Sequence, residues 1–316
     1  MNSNVHQSIE SHGPAYIWES HIMAPDMSIA HYKSSYKARS FCLRAEPIEH
    51  QILSEVTLDT LGYNGKTPGP AIIIVQGEWL FLTLENHLEE ATGIMIQGYA
   101  KAGALKNITD FEQYGPSIEP GDSYTYKLLC DKPGTFLYRS SHDFQSSLGL
   151  TGALVVLPAE ENIDPDNIPD KDFILLMQQW EISELSLGNI APGKYKPNKY
   201  RRNPNFFTLN GKCYPNTAPI YFNKGDKIRM RFISKVGEIG WIHLEGHPFQ
   251  VITINGFSRY NQMNDTIEFS SGFRSEIELT ANNPGNWLLN ATALFQQSNN
   301  GIFPGGITSN IIYLKV

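Results

Sequence analysis

The sequence contains no long apolar run. Nowhere in its 316 residues do the roughly 18 consecutive apolar side chains of a membrane helix occur, so no membrane-spanning helix is expected. It also lacks a cationic surplus: 25 Lys and Arg stand against 32 Asp and Glu, a net charge of -7. Neither nucleic acid nor an anionic membrane is therefore an expected partner. The nearest thing to a basic run, KYKPNKYRRNPN over 194–205, reads as a solvated loop. Cysteine is scarce. Cys42, Cys130 and Cys213 lie too far apart for thiolate metal or redox spacing and are expected to be small buried residues in a reducing compartment. The opening MNSNVHQSIESHGPAYIWES has no positive n-region and no apolar core, so it reads as neither signal peptide nor anchor, and a cytoplasmic location is expected. Finally, no long segment carries a clean helical period.

What is present is β patterning. In KIRMRFI (227–233), Ile228, Met230 and Phe232 share one face and Lys227, Arg229 and Arg231 the other. SYTYKLL (123–129) and SEIELTA (275–281) alternate in the same way, as half-buried antiparallel strands do. With 26 Gly, 19 Pro, 15 Tyr and 16 Phe in the chain, short strands between tight turns predict an all-β protein. The chain also repeats itself. Asn64-Gly65-Lys66 recurs as Asn210-Gly211-Lys212, Gly77-Glu78 as Gly225-Asp226, and KPGTFLYRSS as NPGNWLLNAT, each about 150 residues further on. We therefore expect an N-terminal arm (1–40), a first domain (41–157), an acidic, proline-bearing linker (158–172) and a second domain (173–316). His21, Met23, Met27 and His31 in the arm suggest packing on the body of the protein rather than a metal tail.

From about residue 55 onward, NGKTPGPAI, SIEPGDSYTY, KPGTFLYRSSHDFQSSLGLTGALVV, FFTLNGKCYPNTAPI, HLEGHPFQVITING and NPGNWLLNAT together resemble the two-domain, laccase-like multicopper oxidases. The resemblance implies two tandem cupredoxin-like Greek-key β-sandwich or barrel domains. It also implies a homotrimer, with a trinuclear copper cluster between domain 1 of one subunit and domain 2 of the next. That cluster is held by four His-x-His pairs. Here the pairs fall on Met95 and Gln97, Arg139 and Ser141, His243 and Glu245, and Asn290 and Thr292, so one imidazole of eight remains. The mononuclear copper fares no better. Its thiolate falls on Ala291, and its imidazoles fall on Gly240 and approximately on Phe295. A guanidinium cannot ligate copper and repels it. No copper cofactor and no copper-dependent oxidation are expected.

What remains is polar rather than apolar, although burying unpartnered polar groups costs ~1–3 kcal/mol each. The leading expectation is a site rebuilt for a small, anionic molecule. Arg139 would grip a carboxylate or phosphate, and His243 would move protons with Glu245 orienting its ring. Met95, Gln97, Ser141, Asn290 and Thr292 would line the cavity. The chemistry would be proton transfer, isomerisation, cyclisation or hydrolysis. Two alternatives stand beside it: a non-catalytic scaffold locked by an Arg139–Glu245 pair between subunits, and a mononuclear zinc or iron site at His243 and Glu245 with His142. His247, four residues after His243 in GWIHLEGHPF, is expected to be a packing residue. A Ser-His-Asp nucleophile within RSSHDFQSS is not, because adjacent strand residues point to opposite faces.

Overall fold

The computed structural model describes residues 13–99, 116–259 and 263–314. The first residues of the arm and the stretch 100–115 of the first domain lie outside it. The described residues are built from β-strands, with two short α-helices among them, Pro14–Ser20 and Asp143–Ser147.

The strands form two sandwiches, each of two sheets. In the first, a six-stranded sheet built on the strands Ala38–Leu53, Val56–Tyr63, Trp79–Asn86 and Ser123–Leu129 packs on a four-stranded sheet. The four strands run in the order Ile72–Val75, Thr151–Leu157, Gly134–Ser140, Ile94–Gln97. Between the layers lie Phe41, Leu43, Leu82, Ile94, Ile96, Phe136, Tyr138 and Leu154. In the second domain an eight-stranded sheet, with Lys171–Trp180, Lys227–Ser234 and Arg274–Thr280 at its centre, faces a five-stranded sheet. The order there is Ile220–Phe222, Thr308–Tyr313, Asn286–Ala291, Gly240–Leu244, Thr266–Phe269. The repeat seen in the sequence is a repeat of turns. Asn64-Gly65 and Asn210-Gly211 both take positive φ, 54° and 76° against 50° and 85°, which is why Asn-Gly recurs at both places. Two further Asn-Gly pairs, Asn255-Gly256 and Asn300-Gly301, do the same.

The domains meet sheet on sheet. Ile73, Val75, Leu137 and Val155 from the four-stranded sheet form one cluster with Ile174, Leu176 and Ile233 from the eight-stranded sheet. Strands at this junction are apolar on both faces: Thr151–Leu157 is buried at every position, as expected for a sheet covered on both sides. The arm takes part in the junction. Ala15, Trp18 and Ile22 join the same cluster, and Ile22–Met23 adds a parallel strand beside Lys171–Trp180.

Three expectations are corrected here. The charged face of KIRMRFI is not solvated. Arg231 is 2% exposed and donates to Asp172 at 2.7 and 2.8 Å, to Glu276 at 2.9 Å and to Thr135 of the first domain at 3.0 Å. Asp172, assigned from composition to an acidic surface linker, is fully buried and also accepts from the Trp18 indole at 2.8 Å. Domain 1 and the arm cover this face, a tertiary event that strand alternation does not encode. Cys42 is exposed, whereas Cys130 and Cys213 are buried as expected.

Candidate functional site

All eight positions taken from the resemblance are placed, and within one chain they divide into two groups. Met95 and Arg139 are directly paired across neighbouring strands, and Gln97 pairs with Leu137. Ile94 and Ile96 point into the first core, so by strand alternation Met95 and Gln97 point out of it. Arg139 points out too, on the face that carries Thr135 and Leu137 toward domain 2. His243 and Asn290 are likewise paired across neighbouring strands. They alternate with Ile242, Leu244, Leu289 and Ala291 of the second core and so stand on the outer face of the five-stranded sheet. That sheet is the layer of domain 2 remote from domain 1. The eight-stranded sheet, packed about 10 Å from it, separates it from the junction.

The contacts follow from this division. Arg139 donates to Asp143 and to the Ser140 carbonyl, both at 3.0 Å, and its Nε is buried without a protein partner. The Gln97 carbonyl accepts from Arg274 at 2.9 Å, and its side chain lies against Gly272. Ser141 packs beside Gly93 and is 3.4 Å from the His142 ring. His142 occupies the N-cap of the helix Asp143–Ser147 but makes no capping bond with its side chain. On the far layer, His243 Nδ1 lies 2.9 Å from the Asp265 carbonyl and Glu245 accepts from the Leu288 amide at 3.2 Å. The Asp265 carbonyl, and not Glu245, orients the His243 ring. With Nδ1–H donating there, Nε2 is left as the acceptor. Asn290 donates to Gln297 at 3.3 Å, and its Oδ1 is buried without a protein partner. Thr292, just past the strand, is exposed. In a single chain Arg139 therefore pairs with Asp143 and not with Glu245.

His247 is the packing residue expected of it. It is 2% exposed, stacks on Tyr313 with ring centres 5.7 Å apart, and bonds the Tyr313 hydroxyl and the Glu245 carbonyl, each at 2.7 Å. Burial holds its imidazole below the usual histidine range.

Three residues that sequence reasoning passed over matter here. Gln296 fills the place expected of Phe295: it is fully buried against Gly240, whereas Phe295 is half exposed. Both side-chain amide atoms of Gln296 lack protein partners. Lys235 continues the face of Arg231 and Ile233 beyond the end of their strand and is 9% exposed. Its amine is pushed down to about 8, by burial first and then by the charges of Arg139 and Arg201. Arg201, from the basic loop expected to be solvated, turns inward and reaches the Lys235 carbonyl at 3.5 Å. The one available signal was Lys235 itself, a charge set among Phe232, Ile233 and Val236 in RFISKVGEIG.

Two packed Greek-key sandwiches with paired, outward-facing strand positions define a two-domain cupredoxin-like protein. Sequence models described as multicopper oxidase match residues 45–161 and 189–300, and the chain belongs to the multicopper oxidase family. It is 25% identical to laccase-1 of Cryptococcus neoformans var. grubii over 231 residues, 67% of this chain and 37% of that protein. It is 30% identical to the L-ascorbate oxidase of Cucumis sativus over 157 residues, 48% of this chain and 26% of that protein. The chain thus aligns with well under half the length of either relative. A blue copper oxidase from Nitrosomonas europaea superposes with a TM-score of 0.72 at 26% identity, covering 87% of this chain and 86% of that one. A multicopper oxidase called mgLAC gives 0.74 at 25%, covering 88% of each.

The family's copper chemistry does not fit this donor set. The eight positions offer a thioether, two amides, two hydroxyls, a guanidinium, a carboxylate and one imidazole. Of these, the guanidinium at Arg139 is a permanent cation with no lone pair to give. Among the described residues no group of three His, Cys, Asp or Glu side chains is arranged to hold a metal ion. His142, at the junction, and His243, on the far layer, do not come together in one chain.

Proposed function

We propose that this chain binds a small anionic molecule on the surfaces its relatives devote to copper and performs non-redox acid–base chemistry on it. The observation that carries the reading is the His243–Asn290 pair. The carbonyl of Asp265 fixes the imidazole so that Nε2 faces outward as a base, and the neighbouring Asn290 Oδ1 is buried without a protein partner. A buried acceptor left unpartnered costs ~1–3 kcal/mol, and a donor on a bound molecule or on a second subunit would remove that cost. Arg139 on the other face holds unused donors, including its buried Nε. Head-to-tail assembly into a trimer brings those donors to those acceptors and encloses a site with a cation on one wall and a base on the other. The cation would hold the anionic group and the imidazole would take or return a proton. The protein would be cytoplasmic and work without copper.

The test is native mass spectrometry of protein purified without denaturation, together with metal analysis after dialysis against copper. A trimer carrying a small molecule that is lost in both Arg139→Ala and His243→Ala supports the reading. Stoichiometric copper that His243→Ala removes would sink it, as would a ligand-free monomer indifferent to both changes.

A further inference from the structure

The strands Gly134–Ser140 and Lys227–Ser234 lie face to face across the domain junction, and their side chains match rung by rung. Thr135 meets Arg231 at 3.0 Å. Leu137 and Ile233 share one apolar cluster. One rung further, Arg139 stands on the same face as Thr135 and Leu137, and Lys235 on the same face as Arg231 and Ile233. Both are therefore delivered to the mouth of the junction. The wall beyond them is fixed by Phe144, which packs edge-on against Tyr200 at 5.3 Å. Arg201 enters beside Tyr200 and reaches the backbone of Lys235.

Two of the rungs are matched in chemistry, a hydroxyl with a guanidinium and an alkyl group with an alkyl group. Beyond them, Lys235 follows Ser234 at the end of its strand, within the field of the Arg139 guanidinium and with the Arg201 guanidinium on its own carbonyl. Like charges brought together away from water are unfavourable unless an opposite charge compensates. Asp143, the carboxylate bonded to Arg139, is 85% exposed, so its charge is largely screened by solvent. Glu238 acts on Arg201, and its buried Oε2 has no protein partner. The charged groups facing the amine of Lys235 are thus Arg139, Arg201 and Asp143, with Glu238 behind Arg201. No protein bond uses the Lys235 amine or the Arg139 Nε among the described residues.

We propose that the mouth of the domain junction binds a small doubly charged oxyanion, a phosphate group or a dicarboxylate, held by Arg139, Lys235 and Arg201. The forked guanidinium of Arg139 supplies paired donors, the ammonium supplies a compact charge, and Arg201 closes the third side. This deepens the proposed function by naming what would hold the anion, and it rests on that reading only through Arg139. It needs no second subunit and no contribution from His243.

Calorimetric titration of the full chain with inorganic phosphate and with malonate, at constant ionic strength in chloride, tests it. One of the two should bind with a defined stoichiometry, and affinity should fall at least tenfold in Arg201→Gln and in Lys235→Met while Lys224→Gln, on an exposed turn, leaves it unchanged. Because Lys235 is buried, the wild-type protein offers a check that needs no variant: the bound anion should slow acetylation of Lys235 by acetic anhydride severalfold, read by peptide mass spectrometry, and chloride should not. Binding no tighter than chloride, or unchanged binding in Arg201→Gln with an unprotected Lys235, overturns the inference. Loss of binding in His243→Ala with no effect of Arg201→Gln overturns it too, but leaves the proposed function standing.

Discussion

The two faces inherited from one repeated unit have been put to different use. In domain 1 the face bearing Met95, Gln97 and Arg139 is the one on which the chain folds back. Its middle is sealed by Leu137 against Ile233, and its ends are held by Thr135 with Arg231 and by Gln97 with Arg274. In domain 2 the equivalent face, with His243, Glu245 and Asn290, stays on the outer layer, where each of the three bonds one near neighbour while the Asn290 Oδ1 is left without a protein partner. The first face is rich in donors and cations. The second presents acceptors, the His243 Nε2 and the Asn290 Oδ1. One topology thus supplies two complementary surfaces because only one of them is covered by the rest of its own chain.

Removing the ionic staple beneath the covered face would break this contrast most severely. Arg231→Ala leaves Asp172 and Glu276 buried without their cation, and such changes cost ~3–5 kcal/mol. Chemical denaturation should show that loss, whereas His243→Ala on the outer face should cost less than ~1 kcal/mol because a single bond to the Asp265 carbonyl is removed.

Lys235 sharpens the contrast through pH. Its folded pKa of about 8 lies below the unfolded value of 10.5, so between these the unfolded chain binds more protons. Stability from this group therefore rises as pH increases from about 8 to 10.5, and the cost of charging the buried amine, up to about 3 kcal/mol, is fully present below about 8. Replacing it in Lys235→Met should flatten the pH dependence of stability across that window, measured against the wild type.

A smaller effect separates the interior of domain 2 from both faces. Gln296 is fully buried with neither amide atom partnered by protein. Gln296→Leu removes both orphans at nearly constant volume and should leave stability unchanged or raise it by ~1 kcal/mol, read as a small increase in thermal midpoint. A loss of 2 kcal/mol or more would mean that this amide is solvated inside the domain.

A shift of the same size as that of Lys235, on the acid side, concerns His50. Burial holds its imidazole down at about 4 against an ordinary 6.5, while its Nε2 bonds the Gly211 carbonyl across the two domains at 2.7 Å. The unfolded chain binds the extra proton between these values, so the contribution of His50 is present above 6.5 and lost as pH falls toward 4. The acid limb of the stability curve should be shallower in His50→Gln.

Much of the fold was legible because strands and turns are local. Period-two alternation placed Ile228, Met230 and Phe232 in the core, and Asn-Gly pairs marked positive-φ turns at Asn64 and Asn210. The candidate positions at Met95, Arg139, His243 and Asn290 could be named in order along the chain, and their strand-by-strand pairing followed. What could not be read was which side of each sheet would be covered. Arg231 and Asp172 look like surface charges in the sequence and are buried in the structure. Arg201 looks like part of a solvated loop and turns inward. Gln296, not Phe295, takes the interior place. Glu245 seemed poised to orient His243, but its carboxylate is held by the Leu288 amide on the neighbouring strand.

By itself the sequence determined the class of element and the duplication of the unit, since each is written in residue identity and spacing. The tertiary structure alone decided that domain 1 packs its outward face on domain 2, that Arg139 pairs with Asp143 and not with Glu245, and that His243 stands on the far layer. The physical reason is that strand alternation fixes which residues share a face. What that face meets depends on apolar area supplied by segments more than a hundred residues away, such as Ile233 against Leu137 and Trp18 over Asp172.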